Sequence, residues 1–430
     1  MTPQSKSDLH IAQPLTLKCG LTLPNRLVKA SMTEGLADRK RHPTPALLNL
    51  YKHWADGGWG LVITGSLEVD ANNVALAGEP AVSTSTPDST LIPAFAALAR
   101  ACRALKARSS PSDDDTGTGK RTPTIVQINH AGRQSPRGAS LRGLFTPPMA
   151  PSAIPLVVGQ GWLAHLLQLL AFPTPREMTA EDIVTVKGQF ARAARIVAEA
   201  GFDGIELHGA HGYLISQFLS ASSNRRTDDY GGSPARRARF VVEVIKAVRE
   251  ATKSYEGFCV GIKLNSVDHQ KEDVGEFLEQ VRMVIEAGVD FIEVSGGSYE
   301  DPQVSIVFGP AAPEQKSDRT KAREAFFLEF AQVIRKEFPD VPLMVTGGFS
   351  TRVGMEKAVA DGGCDLVGLA RPAVLNPSLP NNIVFNSELK DQNATLYRKN
   401  HGTHSLLAML GIQIVGAGME SVCCRPEMHC

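Results

Sequence analysis

Along most of the chain, short runs of β-branched and other apolar residues alternate with longer stretches whose apolar positions recur every three or four residues. The first kind of run suits a buried strand and the second an amphipathic helix. The strand candidates are 26–30, 60–64, 124–129, 204–207, 260–264, 291–294, 343–346 and 366–369. Helical periodicity covers 91–107, 180–200, 235–251, 274–286, 322–337 and 352–360. Ser233-Pro234 adds a helix start, a capping hydroxyl followed by proline at the first helical position. Such alternation builds parallel βα units. Eight of them predict an α/β fold closed into a single (β/α)8 barrel rather than an open sheet.

Two insertions interrupt the pattern. Residues 109–123 are rich in Ser, Asp, Gly and Thr and read as a disordered loop far from any chemistry. Residues 134–175 form a long connection after the third strand, on the face where barrel loops shape a site. Within it, 156–172 is the most apolar stretch, but Gln160, His165, Gln168 and its Pro-rich flanks argue for a surface loop with an amphipathic turn, not a membrane span. The barrel is expected over 10–380, with 381–430 as a tail wrapping it.

Composition narrows the partners. The 430 residues balance 45 Lys and Arg against 45 Asp and Glu, which gives no electrostatic case for nucleic acid or an anionic membrane. Seven cysteines, odd in number and without a C-x-x-C pair, speak against a disulfide framework or zinc ribbon and for a reducing cytoplasm. The polar start of the chain offers no signal-peptide core.

The candidate chemistry sits where strands end. His208-Gly-Ala-His211-Gly-Tyr213 leaves the fourth strand at the catalytic end of the barrel. Imidazoles can hydrogen-bond a carbonyl oxygen as it gains charge, and a phenol can protonate the adjacent carbon. That pairing suits hydride addition across an activated C=C bond. A zinc site is the rival reading, but neither HExxH nor a further Cys/His cluster accompanies the pair. Two buried histidines satisfied by backbone are the plainer alternative. Gly347 and Gly348 after strand seven, with Ala370 and Arg371 after strand eight, occupy the loops that commonly hold a phosphate in barrels. Singly they read as a tight turn and a surface arginine. No G-x-G-x-x-G follows a strand, so a Rossmann site is unsupported.

Five separated motifs make the chain resemble the old yellow enzyme family of flavin-dependent ene-reductases, whose fold is the TIM barrel. They are Leu23-Pro-Asn-Arg-Leu-Val-Lys-Ala-Ser-Met-Thr33, Gln127-Ile-Asn-His-Ala-Gly-Arg-Gln134, Gly201-Phe-Asp-Gly-Ile-Glu-Leu-His-Gly-Ala-His-Gly-Tyr213, Ser223-Asn-Arg-Arg-Thr-Asp-Asp-Tyr-Gly-Gly-Ser233 and Gly368-Leu-Ala-Arg371. The resemblance implies noncovalent FMN lined by Ala30, Ser31, Met32, Thr33 and Ser66, with the Thr33 hydroxyl donating to flavin O4 and Gln127 on the pyrimidine edge. It places Lys263 near N1 and O2, and the Gly347–Gly348 and Ala370–Arg371 loops on the phosphate. It gives His208 and His211 the substrate oxygen and Tyr213 the proton. It assigns the 223–233 segment a structural part, its arginines and acids clamping the loop that presents the pair.

The implied activity is ping-pong reduction of α,β-unsaturated carbonyl compounds, with NAD(P)H as a transient reductant. A redox-neutral flavin isomerase or cyclase is the alternative, and a flavin-binding barrel without turnover a further one. Two departures stand out. No aromatic residue follows Thr33 in Glu34-Gly-Leu36, so substrate shape would be selected elsewhere, as by 134–175. The end of the chain lacks the aromatic-plus-arginine signature by which relatives reach a neighbouring subunit, so a homo-oligomer is compatible with the sequence but not indicated by it.

Overall fold

A computed structural model of the 430-residue chain describes residues 8–103, 121–157, 162–266, 274–296 and 327–396. Eight strands pair in parallel and close on themselves: β1 (Leu27–Lys29), β2 (Leu61–Ile63), β3 (Thr124–Asn129), β4 (Gly204–Gly209), β5 (Cys259–Asn265), β6 (Phe291–Ser295), β7 (Leu343–Thr346) and β8 (Leu366–Leu369). β8 pairs with β1, and β2 with β3, so no edge is left within the ring. Helices follow each strand: α1 (Pro45–Ala55), α2 (Asp88–Ala101), α3 (Ala180–Glu199), α4 (Pro234–Thr252), α5 (Val274–Glu286), α6 (327–337), α7 (Arg352–Ala360) and the short α8 (Arg371–Leu375). The expected (β/α)8 barrel is the observed fold.

All eight predicted strands are present. Ser233 caps α4 through its hydroxyl, which accepts from the Arg236 N–H, with Pro234 next, as predicted. The same signature at Thr44-Pro45 starts α1, a helix absent from the periodicity-based set. One expectation is corrected. The stretch 156–172 holds a ten-residue helix, Trp162–Ala171, rather than a loop with a single turn. Eight of its ten residues are apolar, and Pro173 lies just beyond its end, where it stops the helix rather than preventing it. The disordered-loop expectation for 109–123 falls, apart from 121–123, outside the described residues, as does most of the tail. Among the described residues, no helix is long and apolar enough to cross a membrane.

Successive strand side chains point to opposite faces of the sheet. Outward residues such as Val126, Ile205, Leu207, Val260, Ile262 and Ile292 pack in one large core under the helices. Inward residues at the N-terminal end form a separate apolar floor of Val28, Leu61, Ile125, Cys259, Phe291, Met344 and Leu366. The Phe291 ring fills that floor so fully that a Cβ on Gly261 would lie 2.2 Å from it. A two-stranded hairpin, Leu15–Thr16 with Thr22–Leu23, closes the floor by adding Leu17 and Leu23 to the same cluster. An apolar floor leaves the polar inward positions to gather at the other end.

The site at the barrel mouth

From mid-barrel upward the inward positions of β3 to β6 are all polar: Gln127 and Asn129, Glu206 and His208, Lys263 and Asn265, Glu293 and Ser295. Register brings them together. Gln127 lies opposite Glu206, and Lys263 opposite both His208 and Glu293. A continuous polar chain results. The hydroxyls of Ser31 and Ser66 donate to Gln127 Oε1 at 2.9 and 3.2 Å, and Gln127 Nε2 donates to Glu206 Oε2 at 2.6 Å. Lys263 Nζ lies 3.6 Å from that carboxyl and 3.2 Å from Glu293 Oε1.

Burial and the nearby Glu293 push the Glu206 carboxyl well above the usual carboxylate range. Lys263 moves the other way in charge terms. Burial disfavours its cation, but Glu293 and then Glu206 outweigh that and raise its pKa. The two shifts reconcile if the ion pair is chiefly Lys263 with the closer Glu293, while Glu206 keeps its proton beside Gln127. The mouth thus carries a fully buried ammonium held in place by carboxyl groups.

Above this layer stands the histidine pair. His211 takes a left-handed backbone conformation (φ 57°), uncommon for a residue with a Cβ. Gln134 Nε2 donates to its carbonyl at 2.7 Å and fixes that turn. The turn folds the His211 ring back onto His208, with centroids 5.0 Å apart, and Tyr213 stands edge-on to His208 at 4.7 Å. Burial first, then mutual repulsion and the Lys263 cation, hold His208 well below the usual histidine range. Burial and Lys263 pull His211 down to about 3. Both rings are therefore neutral, and a neutral imidazole has one donor and one acceptor nitrogen.

The hydrogen bonds then fix the tautomers. The Ala210 N–H donates to His208 Nδ1 at 3.3 Å, so the His208 proton is on Nε2. That nitrogen meets His211 Nδ1 at 3.3 Å, which leaves the His211 proton on Nε2, 3.1 Å from Ser295 Oγ. The His208 Nε2–H is thus directed at His211, and the His211 Nε2–H at Ser295. The 223–233 segment is tied elsewhere: buried Arg226 binds Asp228 and donates to the carbonyls of Pro151 and Met178, not to the turn that carries the pair.

The other sequence-selected residues fall around this centre. Ala30 ends the inward row of β1, and Ser31, Met32 and Thr33 continue it into the loop. The Thr33 hydroxyl donates to Glu79 Oε1 at 3.0 Å, a partner the sequence reading did not identify. Burial raises the Glu79 carboxyl to about 7. Glu34, which stands where an aromatic residue was missed, turns away to receive the Tyr51 hydroxyl and the Gly65 N–H. Gly347 and Gly348 both have positive φ (126° and 83°) directly after β7, and Arg371 opens α8 directly after β8. Thr346 Oγ1, just before those glycines, is buried without a hydrogen-bond partner.

A flavin mononucleotide fits this donor set. Two adjacent left-handed glycines and an arginine suit a phosphate. The two serines, Gln127 and Lys263 offer hydroxyl, amide and cationic groups to a polar ring edge. Glu206, Glu293, Ser295 and Glu79 went unread in the sequence. For the first two a signal existed: a carboxylate inside an otherwise apolar strand buried on both faces.

The comparisons agree with this picture. The model of the NADH:flavin oxidoreductase / NADH oxidase family matches residues 10–390. The chain is 48% identical over 433 aligned positions to NADH-dependent flavin oxidoreductase iliE of Neonectria sp. (strain DH2), covering 98% of this chain and 54% of that protein. It is 44% identical to the iliE protein of Hypocrea jecorina (strain QM6a), with 97% and 99% covered, and to iccE of Talaromyces variabilis, with 96% and 96%. The chain thus spans about half of the Neonectria protein and nearly all of the other two. Among solved structures, morphinone reductase superposes with a TM-score of 0.66 at 23% identity, covering 92% of this chain and 93% of its own. The old yellow enzyme homologue from Zymomonas mobilis gives 0.63 at 21%, covering 92% and 97%. At such identities these two show the fold alone.

Proposed function

Since this chain belongs to the NADH:flavin oxidoreductase / NADH oxidase family, we propose that it is an FMN-dependent enzyme that uses NAD(P)H to reduce the activated C=C bond of α,β-unsaturated carbonyl compounds. FMN, held noncovalently, would supply the hydride chemistry, accepting from the nicotinamide and donating to the β-carbon in two half-reactions at one site. The Gly347–Gly348 and Ala370–Arg371 loops would bind its phosphate. Ala30, Ser31, Met32, Thr33, Ser66, Gln127 and Lys263 would meet its ring, the ammonium offsetting negative charge there.

The chain's own part in the chemistry follows from the mouth. His208 and His211 are neutral and so do not repel the buried Lys263 cation, and each carries its proton on Nε2, where a substrate oxygen would take the place of the present partner, His211 Nδ1 or Ser295 Oγ. They hold the carbonyl oxygen as it gains charge during hydride addition. Tyr213, packed against His208, delivers its phenolic proton to the α-carbon. The observation that carries the reading is this pair of tautomer-fixed imidazoles beside a phenol, directly above a buried ammonium.

A redox-neutral isomerase or cyclase is the second reading. It is favoured by Glu79, whose pKa of about 7 suits proton exchange near neutral pH and which reaches the site through Thr33. Anaerobic mixing decides between them. The flavin should bleach with NADH or NADPH and regain its colour on adding an enone. A flavin that bleaches but is not recoloured by any member of an enone panel would overturn the reductase reading.

A further inference from the structure

At the opposite end of the barrel lies a group of side chains that the proposed reaction does not use. The sulfurs of Cys19 and Cys259 and a carboxylate oxygen of Asp290 all lie within 4.8 Å of one another. Cys259 is the first residue of β5 and belongs to the apolar floor; Cys19 is in the turn of the hairpin that covers it. We propose that Cys19 and Cys259 are an oxidisable thiol pair that peroxide closes to a disulfide, fastening the N-terminal hairpin to the barrel floor.

Position makes the pair selective. Of the four cysteines among the described residues, Cys102, Cys259 and Cys364 are buried, and Cys19 alone is half-exposed. The Cys259 thiol donates a hydrogen bond to Cys19 and lowers its pKa, while that same bond, with burial, raises the pKa of Cys259. The exposed sulfur is therefore the better thiolate, and the buried one keeps its proton. That is the division of labour of an attacking and a resolving cysteine.

A dication is the rival occupant, and Arg249 disfavours it. Its guanidinium pairs with Asp290 Oδ2 at 2.7 Å, and the same oxygen accepts from the Val260 N–H at 2.7 Å. The carboxylate is thus already neutralised, and a positive charge already stands beside the sulfurs. A disulfide asks only for two sulfurs.

The step balances with hydrogen peroxide as the oxidant. The Cys19 thiolate attacks one peroxide oxygen and breaks the O–O bond, giving a sulfenic acid and, after protonation, water. Cys259 then attacks the Cys19 sulfur, loses its proton and expels a second water as the S–S bond forms. Two thiols lose two electrons, and one peroxide gains them.

The test uses the full-length holoprotein, first reduced and then treated with hydrogen peroxide. Non-reducing peptide mapping should find the Cys19 and Cys259 peptides joined. Tm should rise by about 2–5 °C, as expected for one cross-link in a chain of this size, and fall back with dithiothreitol. C19S and, as an independent partner, C259A should show neither change. Three results would overturn the proposal. One is a Cys19 that ends as sulfinate while Cys259 remains alkylatable. Another is a cross-link to any other cysteine. The third is tight zinc binding by the reduced protein that C19S abolishes, which would make the group a metal site.

Discussion

Lys263→Met separates a buried ion network from a decorative strand-end lysine. Its ammonium sits 3.2 Å from Glu293 and 3.6 Å from Glu206, all three side chains being almost fully removed from water. At an effective dielectric constant of ~20, a unit-charge pair at such separations attracts by roughly 5 kcal/mol. Desolvation of the partners offsets much of that, so the intact network adds little net stability. Breaking it is another matter. Removing one partner strands a buried carboxylate and costs about 3–5 kcal/mol.

At roughly 2 cal/mol/K of unfolding entropy per residue, spread over 430 residues, that loss corresponds to a Tm drop of about 3–6 °C. The assay is thermal unfolding of the apoprotein, so that flavin affinity does not enter. K263M should show the drop, K263R should recover most of it by keeping the charge, and K263M/E293Q should recover much of it by removing the stranded anion. A wild-type midpoint for K263M, or a double variant no better than the single, would refute the network.

Three further outcomes follow from the same geometry. R371A should weaken FMN binding by about 10–150-fold in a fluorescence titration, the worth of a charge-assisted phosphate contact of roughly 1.5–3 kcal/mol; unchanged affinity would move the phosphate elsewhere. H208A and H211A should each slow reoxidation of the reduced protein by an enone on the order of 10²–10³-fold, leaving reduction by NADH and reoxidation by oxygen near wild type. Nitrogen-15 spectra of the imidazoles should show both histidines as neutral Nε2–H tautomers down to about pH 5, because His211 titrates near 3 and His208 is also held far down. Unfolded histidines protonate near ~6.5, so the unfolded chain takes up protons first and the pair's contribution to stability falls as pH drops from there towards 3. A ring that protonates near pH 6.5 would contradict the neutral-donor assignment.

What could be read from the chain without its fold depended on how local each signal was. The strands announced themselves because a strand buried on both faces is apolar through its length, and His208, His211 and Tyr213 because they are contiguous with one such strand end. The helix α1 was passed over although Thr44-Pro45 carries the same start signal as Ser233-Pro234. Glu206 and Glu293 stand out as carboxylates within apolar strands, but their meeting at Lys263, and the part of Ser295, needed the pairing register of β3 to β6, which brings together positions nearly ninety residues apart. Thr33 was legible as a site residue, but its hydrogen bond to Glu79 depends on how two loops meet. The floor thiols Cys19 and Cys259 are separated by most of the barrel, and nothing in their spacing links them.

The account's central claim is that Tyr213 supplies the proton to the α-carbon of an enone whose oxygen the two histidines hold. Anaerobic stopped-flow on Y213F tests it most directly, because phenylalanine keeps the ring against His208 and removes only the acid. Reduction of the flavin by NAD(P)H should be nearly unchanged. Reoxidation by an enone should fall by roughly 10²–10⁴-fold, while a nitroalkene, whose reduced anion is stable without a proton, should reoxidise the variant at close to the wild-type rate. Wild-type enone turnover in Y213F, or equal losses with both acceptors, would contradict it.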